Sequence, residues 1–210
     1  MSDMLGASTT ELLALAGPMT LFSVSMTATP GPNNMMLTAS GANYGFMRTL
    51  PHMLGISVGV MVLMGAVATG LGALFQQWPA LQQGLKVVGS LYLLWLAWKI
   101  ASAPPPETVT GKAGGRPLTL VQAAAFQFAN PKAWVMAISG VASFTLTGDA
   151  FLASAVVVIV IMGIVTLPSI AIWAGFGVAL GRLLKTARHW RVFNIVMGSL
   201  TAACVIMILS

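Results

Sequence analysis

Carboxylates are almost missing from this chain: Asp3, Glu11, Glu107 and Asp149 are the only four in 210 residues. No two fall together inside an apolar run, which removes the paired acid and base that general acid–base hydrolysis needs. Histidine is nearly as scarce. His52 and His189 stand apart near the ends of apolar runs, with no Cys, Asp or Glu at metal-ligand spacing. No Gly-Lys-Ser/Thr phosphate loop occurs, which excludes ATP hydrolysis by that route. The one cysteine, Cys204, rules out an internal disulfide and reads as a small buried hydrophobe. The sequence therefore predicts no enzyme, no metal and no cofactor.

Charge of either sign is also short. Charged residues make up 7% of the chain against 57% hydrophobic, whereas a soluble domain carries about 25%. With a mean hydropathy of +0.89, too little polar surface remains to cover a globule in water, and an integral membrane protein embedded in a lipid bilayer is expected. The net charge of +6 does not point to nucleic acid, because the basic residues sit at the ends of apolar runs rather than on a polar face. Residues 1–11 hold Asp3 and Glu11 and no Lys or Arg, so no cleavable signal peptide is expected and the first apolar segment stays.

What is abundant is apolar sequence long enough to span a bilayer, at about 20 residues per crossing. Six runs qualify, over about 12–44, 52–75, 79–101, 118–144, 150–180 and 192–209. The first and fourth are long for one crossing. Each is interrupted, by Thr29-Pro30-Gly31-Pro32-Asn33-Asn34 and by Asn130-Pro131-Lys132, and becomes sensible as two half-helices meeting in mid-membrane. The fifth run, with Pro168 and several glycines, reads as one tilted or kinked helix.

Eight of the ten basic residues fall on one side of this layout: Arg48; Lys99, Lys112 and Arg116; and Arg182, Lys185, Arg188 and Arg191. By the positive-inside rule that side is cytoplasmic and both termini face away from it. Residues 102–117, rich in Pro and Gly, form the one linker. It divides a first three-helix repeat, 1–101, from a second, 118–210. Three is odd, so the second repeat enters the membrane from the opposite face and the two are inverted. The expected fold is thus an all-α integral membrane protein of six transmembrane helices, two inverted three-helix repeats with broken first and fourth helices.

The breaks carry the chemistry. Proline lacks an N–H and crowds the carbonyl four residues back, so Pro30, Pro32 and Pro131 end a helix and free acceptors at Met26, Ala28 and Gln127. Asn130-Pro131 is a helix start, with Asn as cap and Pro in the first turn, and Gly31-Pro32 reads alike. Two half-helix N-termini suit a carboxylate, and loose carbonyls suit an ammonium. Together they match an amino-acid zwitterion, although single proline kinks are ordinary in membrane helices. Lys132 is the ionisable residue nearest mid-span, where burial costs at least about 2.5 kcal/mol. It can hold a substrate carboxylate, pair with the carbonyls of the first break, or snorkel. Asn33, Asn34, Gln127 and Asn130 gather at the same breaks, whereas Ser23 and Thr27 share a face that can equally bond to backbone. The pairs Gly55/Gly59 and Gly177/Gly181 permit close helix approach.

Thr29-Pro30-Gly31-Pro32-Asn33, Gly45 with Arg48, Gly55-Ile56-Ser57-Val58-Gly59, Tyr92-Leu93-Leu94-Trp95-Leu96-Ala97-Trp98-Lys99 and Asn130-Pro131-Lys132-Ala133-Trp134, in that order and spacing, resemble the LysE/RhtB family of bacterial amino-acid exporters. The resemblance implies a multi-pass inner-membrane transporter, driven by ion exchange with H+ as the candidate ion, and working as a homodimer. It places the central motifs on Thr29, Pro30, Gly31, Pro32 and Asn33 and on Asn130, Pro131 and Lys132. One departure stands out. Many members carry an acid just after the second glycine of the second helix, where this chain has Val60. Without a carboxylate in a membrane core, a cationic substrate lacks its counter-ion, so a neutral amino acid is the favoured cargo. The rivals are an inorganic-ion or other small-metabolite carrier on the same fold, which would need ligands the core lacks, and a non-transporting membrane assembly protein.

Overall fold

The computed structural model describes residues 9–71, 77–105 and 115–206, apart from the side chains of Thr9 and Leu71 and a few early in the fourth helix, Lys86 among them. Among these residues every regular element is a helix. The first apolar run forms α1 (Thr9–Ala28) and α2 (Pro32–Tyr44), parted at the Thr-Pro-Gly sequence as its prolines require. Gly45, in the left-handed region at φ 84, then turns the chain directly into α3 (Phe46–Ala66). α3 runs on into one π-helical turn over Val67–Leu71. α4 spans Pro79–Ala101, with Pro in its first turn. The linker of 102–117 is described only at its ends, and Lys112 lies outside the described residues.

Four more helices follow the linker. α5 (Leu120–Ala129) opens on a Thr119/Gln122 capping box, each side chain taking the other's backbone N–H. α6 (Pro131–Phe144) follows after Asn130 alone. α7 (Phe151–Leu183) is one continuous helix of 33 residues through Pro168, and α8 (Ala187–Ala203) starts on a Thr186 cap. The second break is placed as the sequence predicts. The first is less symmetric: α1 has 20 residues, about 30 Å, so it is a full-length helix rather than half of one.

Among the described residues, three helical stretches are long and apolar enough to cross a membrane on their own, Thr10–Ala28, Phe46–Gly70 and Gly148–Leu183. Polarity is distributed as in a lipid-embedded bundle. Leu21, Val62, Leu91, Ile164 and Ile172 are exposed, whereas Ser23, Asn34, His52, Gln127, Asn130 and Thr166 are buried. Apolar surface outside and polar groups inside is the reverse of what water selects.

α3 and α7 pack on each other at the centre. α1 and α2 lie along α7, α5 and α6 lie along α3, and α4 pairs with α8 to the side. Their methionines and aliphatics, including Met19, Leu37, Ile56, Val60, Leu63, Met162 and Ile170, make one core. Glycine sets how closely several of these pairs approach. A Cβ at Gly59 of α3 would lie 2.6 Å from the Ala124 carbonyl of α5. A Cβ on Gly177 of α7 would clash with the Thr38 carbonyl of α2, and one on Gly41 of α2 with the Ala174 carbonyl of α7. Backbone against backbone leaves nothing flexible to give way. Gly177→Ala is expected to lower the unfolding midpoint in lipid or detergent by an amount equivalent to about 1–3 kcal/mol. Gly175→Ala, in open space on the same helix, should be neutral or slightly stabilising.

Candidate functional site

The two breaks meet. Lys132, in the first turn of α6, reaches back across Gly31 to the end of α1: its Nζ donates to the Thr29 carbonyl at 2.6 Å, the Thr29 hydroxyl at 2.7 Å and the Pro30 carbonyl at 3.3 Å. An ammonium has three donors, and all three are used. A Cβ at Gly31 would stand 3.1 Å from the Lys132 stem, so glycine leaves the lane through which the lysine passes.

One turn away a second bridge joins the broken helices. Asn33 of α2 donates its amide to Gln127 Oε1 at 2.9 Å, and Gln127 of α5 returns one to Asn33 Oδ1 at 3.2 Å. Gln127 is fully buried and spends its other donor on the Ala123 carbonyl at 2.9 Å. Asn34 closes the first break from the inside. Its amide donates to the Thr27 carbonyl at 3.1 Å and the Thr29 carbonyl at 2.7 Å, which the helix break leaves without helical partners. At the second break Asn130 Oδ1 accepts from the Lys132 N–H at 3.2 Å, the cap its sequence position predicts.

The acceptors expected to stand open are occupied. The Met26 carbonyl takes the Thr29 hydroxyl at 3.1 Å, the Ala28 carbonyl takes the Trp173 indole N–H at 3.1 Å, and the Gln127 carbonyl takes the Asn130 N–H at 3.2 Å. Buried backbone seeks partners wherever it can, and here the neighbouring helix supplies them. Of the two readings of Lys132 that involve the breaks, the geometry shows the pairing with carbonyls. Ser23 and Thr27 also bond to backbone, at Met19 and Ser23 respectively, although Thr27 borders the cavity between the breaks.

That cavity has a volume of about 30 Å³, room for water but not for an amino acid. Gly31, Pro32, Asn33, Asn34, Asn130 and Lys132 line it from the two breaks. Ile56 and Val60 close it from α3, Met136 from α6, and Thr166 and Ile170 from α7. Val60 is fully buried on this wall. Pro131 stands behind, as the first residue of α6.

Sequence reasoning placed α7 as one helix through Pro168 but gave it no part in the site. Thr166 is fully buried on the cavity wall with its hydroxyl unpartnered, and Trp173 ties α7 to the end of α1. The one available signal was a lone threonine and a tryptophan flanking Pro168 within an otherwise apolar run.

A larger cavity of about 420 Å³ lies at the basic end of the bundle, between α2, α4 and the segment leading into α5. Met36 lines this vestibule, while Asn33, one turn further along α2, lines the central cavity.

The family model for LysE type translocators matches residues 24–209. The chain is 30% identical over 183 residues to the cysteine/O-acetylserine efflux proteins of Escherichia coli (strain K12) and of Shigella sonnei (strain Ss046), covering 86% of this chain and 90% of each relative. No solved structure matches significantly.

The reciprocal amide pair makes a direct prediction. A double-mutant cycle on Asn33→Ala and Gln127→Ala, read by denaturant unfolding in lipid micelles, should return a coupling of about 0.6 kcal/mol and no more than about 1.7. Zero coupling would show that the pair does not hold α2 to α5.

Proposed function

We propose, from the premise that the chain belongs to the LysE type translocator family, that it exports a small neutral amino acid across the bacterial inner membrane. Its relatives are named as efflux proteins, and its scarcity of titratable groups argues for transport rather than catalysis. The observation that carries the reading is the Lys132 bridge to Thr29 and Pro30 across a cavity lined by both breaks.

In this bridge the protein supplies its own stand-ins for a zwitterion. The Lys132 ammonium occupies the carbonyls that suit a substrate ammonium, and Asn130 Oδ1 occupies an N–H that suits a substrate carboxylate. A bound amino acid would exchange for these contacts, with Lys132 released toward its carboxylate and the carbonyls of Thr29 and Pro30 toward its amine. Thr29, Pro30, Gly31, Pro32, Asn33, Asn34, Gln127, Asn130, Pro131 and Lys132 form the proposed substrate site, to which Thr166 is added.

The preference for neutral cargo rests on the wall. Ile56, Val60, Met136 and Ile170 are apolar and no carboxylate lines the cavity among the described residues, so a second positive charge would have no counter-ion. A cysteine or an O-acetylated serine, the substrates in the relatives' name, has a short side chain without charge and fits that wall.

The helix pairing supports the inverted, six-span reading. Exchanging the two halves maps α3–α7 and α4–α8 onto themselves, and maps the contact of α1 and α2 with α7 onto that of α5 and α6 with α3. With the basic end in the cytoplasm, the vestibule faces the cytoplasm and both chain ends face the periplasm. Alternating access then amounts to rocking of the halves about the closed Asn33–Gln127 pair, and a proton gradient is the proposed drive.

Efflux from proteoliposomes preloaded with labelled neutral, cationic and anionic amino acids, with and without an imposed pH gradient, tests this. Gradient-dependent release of cysteine and other small neutral amino acids is expected, falling at least tenfold in Lys132→Ala with normal insertion. Preferred release of lysine or arginine would overturn the counter-ion argument. No release of any amino acid from folded protein would overturn the function.

A further inference from the structure

We propose that the vestibule at the basic end is a separate loading site for the carboxylate of a small amino acid, with the His52 imidazole as the group that hydrogen-bonds it. The proposal rests on the export reading and adds to it a site used before the central cavity is reached.

His52 sits in the second turn of α3, 1% exposed, on the vestibule wall. Neither ring nitrogen has a partner. Such a group is costly to bury unpaired, and a histidine used only for packing is readily replaced by an apolar residue. Three other polar side chains on the wall are already engaged. Ser40 bonds to Thr49 at 2.9 Å, Asn43 exchanges amides with Asn194 at 2.8 and 3.2 Å, and Ser102 donates to the Trp98 carbonyl at 2.7 Å. Those bonds build a rigid rim and leave His52 as the ring aimed at no protein atom.

The formal charges on the wall are positive. Lys99 lines the space, its Nζ lying 4.5 Å from the Trp95 ring centre, and Arg116 is exposed at the mouth. No Asp or Glu lines it among the described residues. The field draws an anion inward, and the imidazole offers it an N–H donor. At about 420 Å³ the vestibule falls within the range of small-molecule sites, about 300–1,000 Å³, whereas the central cavity at about 30 Å³ is closed. Tyr44, whose hydroxyl lies against Gly115, flanks the same mouth.

The chain has two histidines, so ¹⁵N-histidine labelling of the full protein in lipid nanodiscs reports on His52 with His189 as an internal reference. Titration with reduced L-cysteine, with acetate as carboxylate alone and with cysteamine as amine alone separates the chemistry. The expected result is a saturable shift of the His52 ring resonances with L-cysteine and with acetate but not with cysteamine. It should survive in Lys132→Met, where the central site has lost its ammonium. His52→Gln, which keeps a donor, should raise the half-saturating L-cysteine concentration for efflux less than His52→Phe, for which about tenfold is expected. A His52 resonance that stays fixed at L-cysteine concentrations supporting efflux overturns the proposal and leaves export standing. An equal response to cysteamine overturns its carboxylate chemistry. If wild-type protein releases no amino acid yet His52 responds to acetate, the export reading fails while the anion site stands.

Discussion

A lysine ammonium placed in an apolar bundle has to find oxygen, and that requirement organises this molecule. Lys132 lies between a helix of ten residues and one of fourteen, too far from either end for its stem to reach water easily. The oxygens it bonds lie where proline breaks the first long helix. Thr29 and Pro30 supply them. Each break therefore resolves the other's difficulty: one has acceptors without helical donors, the other a cation without a counter-ion. Asn34 and Trp173 take the acceptors the lysine does not reach, so the whole junction is satisfied with no acid present.

Around that junction the packing is unequal along the bundle axis. The halves of the broken helices toward the basic end, α2 and α5, are held where glycine lets backbones touch, at Gly41 and Gly177 with α7 and at Gly59 with α3. α6 on the other side meets its neighbours through side chains, as where Gly140 lies against the Met64, Phe22 and Met19 tips. Methionine is unbranched and adapts its shape. Contacts between backbones move as units, while contacts between flexible tips can slide. On the proposed transport cycle the second kind is where a path would open at low cost, because no buried backbone group loses its partner there.

The sequence carried the breaks, their caps and the side on which the basic residues collect, because proline and glycine act locally and charge is excluded from lipid wherever it falls. Asn130 as a cap, Pro131 in the first turn and the Thr29–Pro32 interruption all follow from a few adjacent residues. What could not be read was partnership across the chain. Nothing near Asn33 shows that it faces Gln127, and nothing near Ala28 shows that its carbonyl would be met by an indole 145 residues on. The carbonyls were expected to be open because chain-local reasoning counts what proline removes and cannot count what another helix supplies. His52 is another case: from the sequence it is only a histidine near the end of an apolar run without metal-ligand neighbours, whereas the structure buries it beside a cavity.

The closed central cavity and the open vestibule together bear on how such a protein avoids leaking. With all three Lys132 donors bonded and the Asn33–Gln127 pair shut, opening either contact without a substrate would leave amide and ammonium groups unpaired in a poorly solvated interior, at a cost of about 1–3 kcal/mol for each neutral group and more for the charge. On the proposed site, a zwitterion entering from the vestibule would remove that cost, because its carboxylate and ammonium would replace the contacts that break. On the proposed reading, the groups that recognise the substrate are therefore the same groups that lock the empty protein, and selectivity and tightness arise from one set of hydrogen bonds. A cation such as lysine would satisfy the same contacts and still bring a charge for which the Val60 wall has no answer.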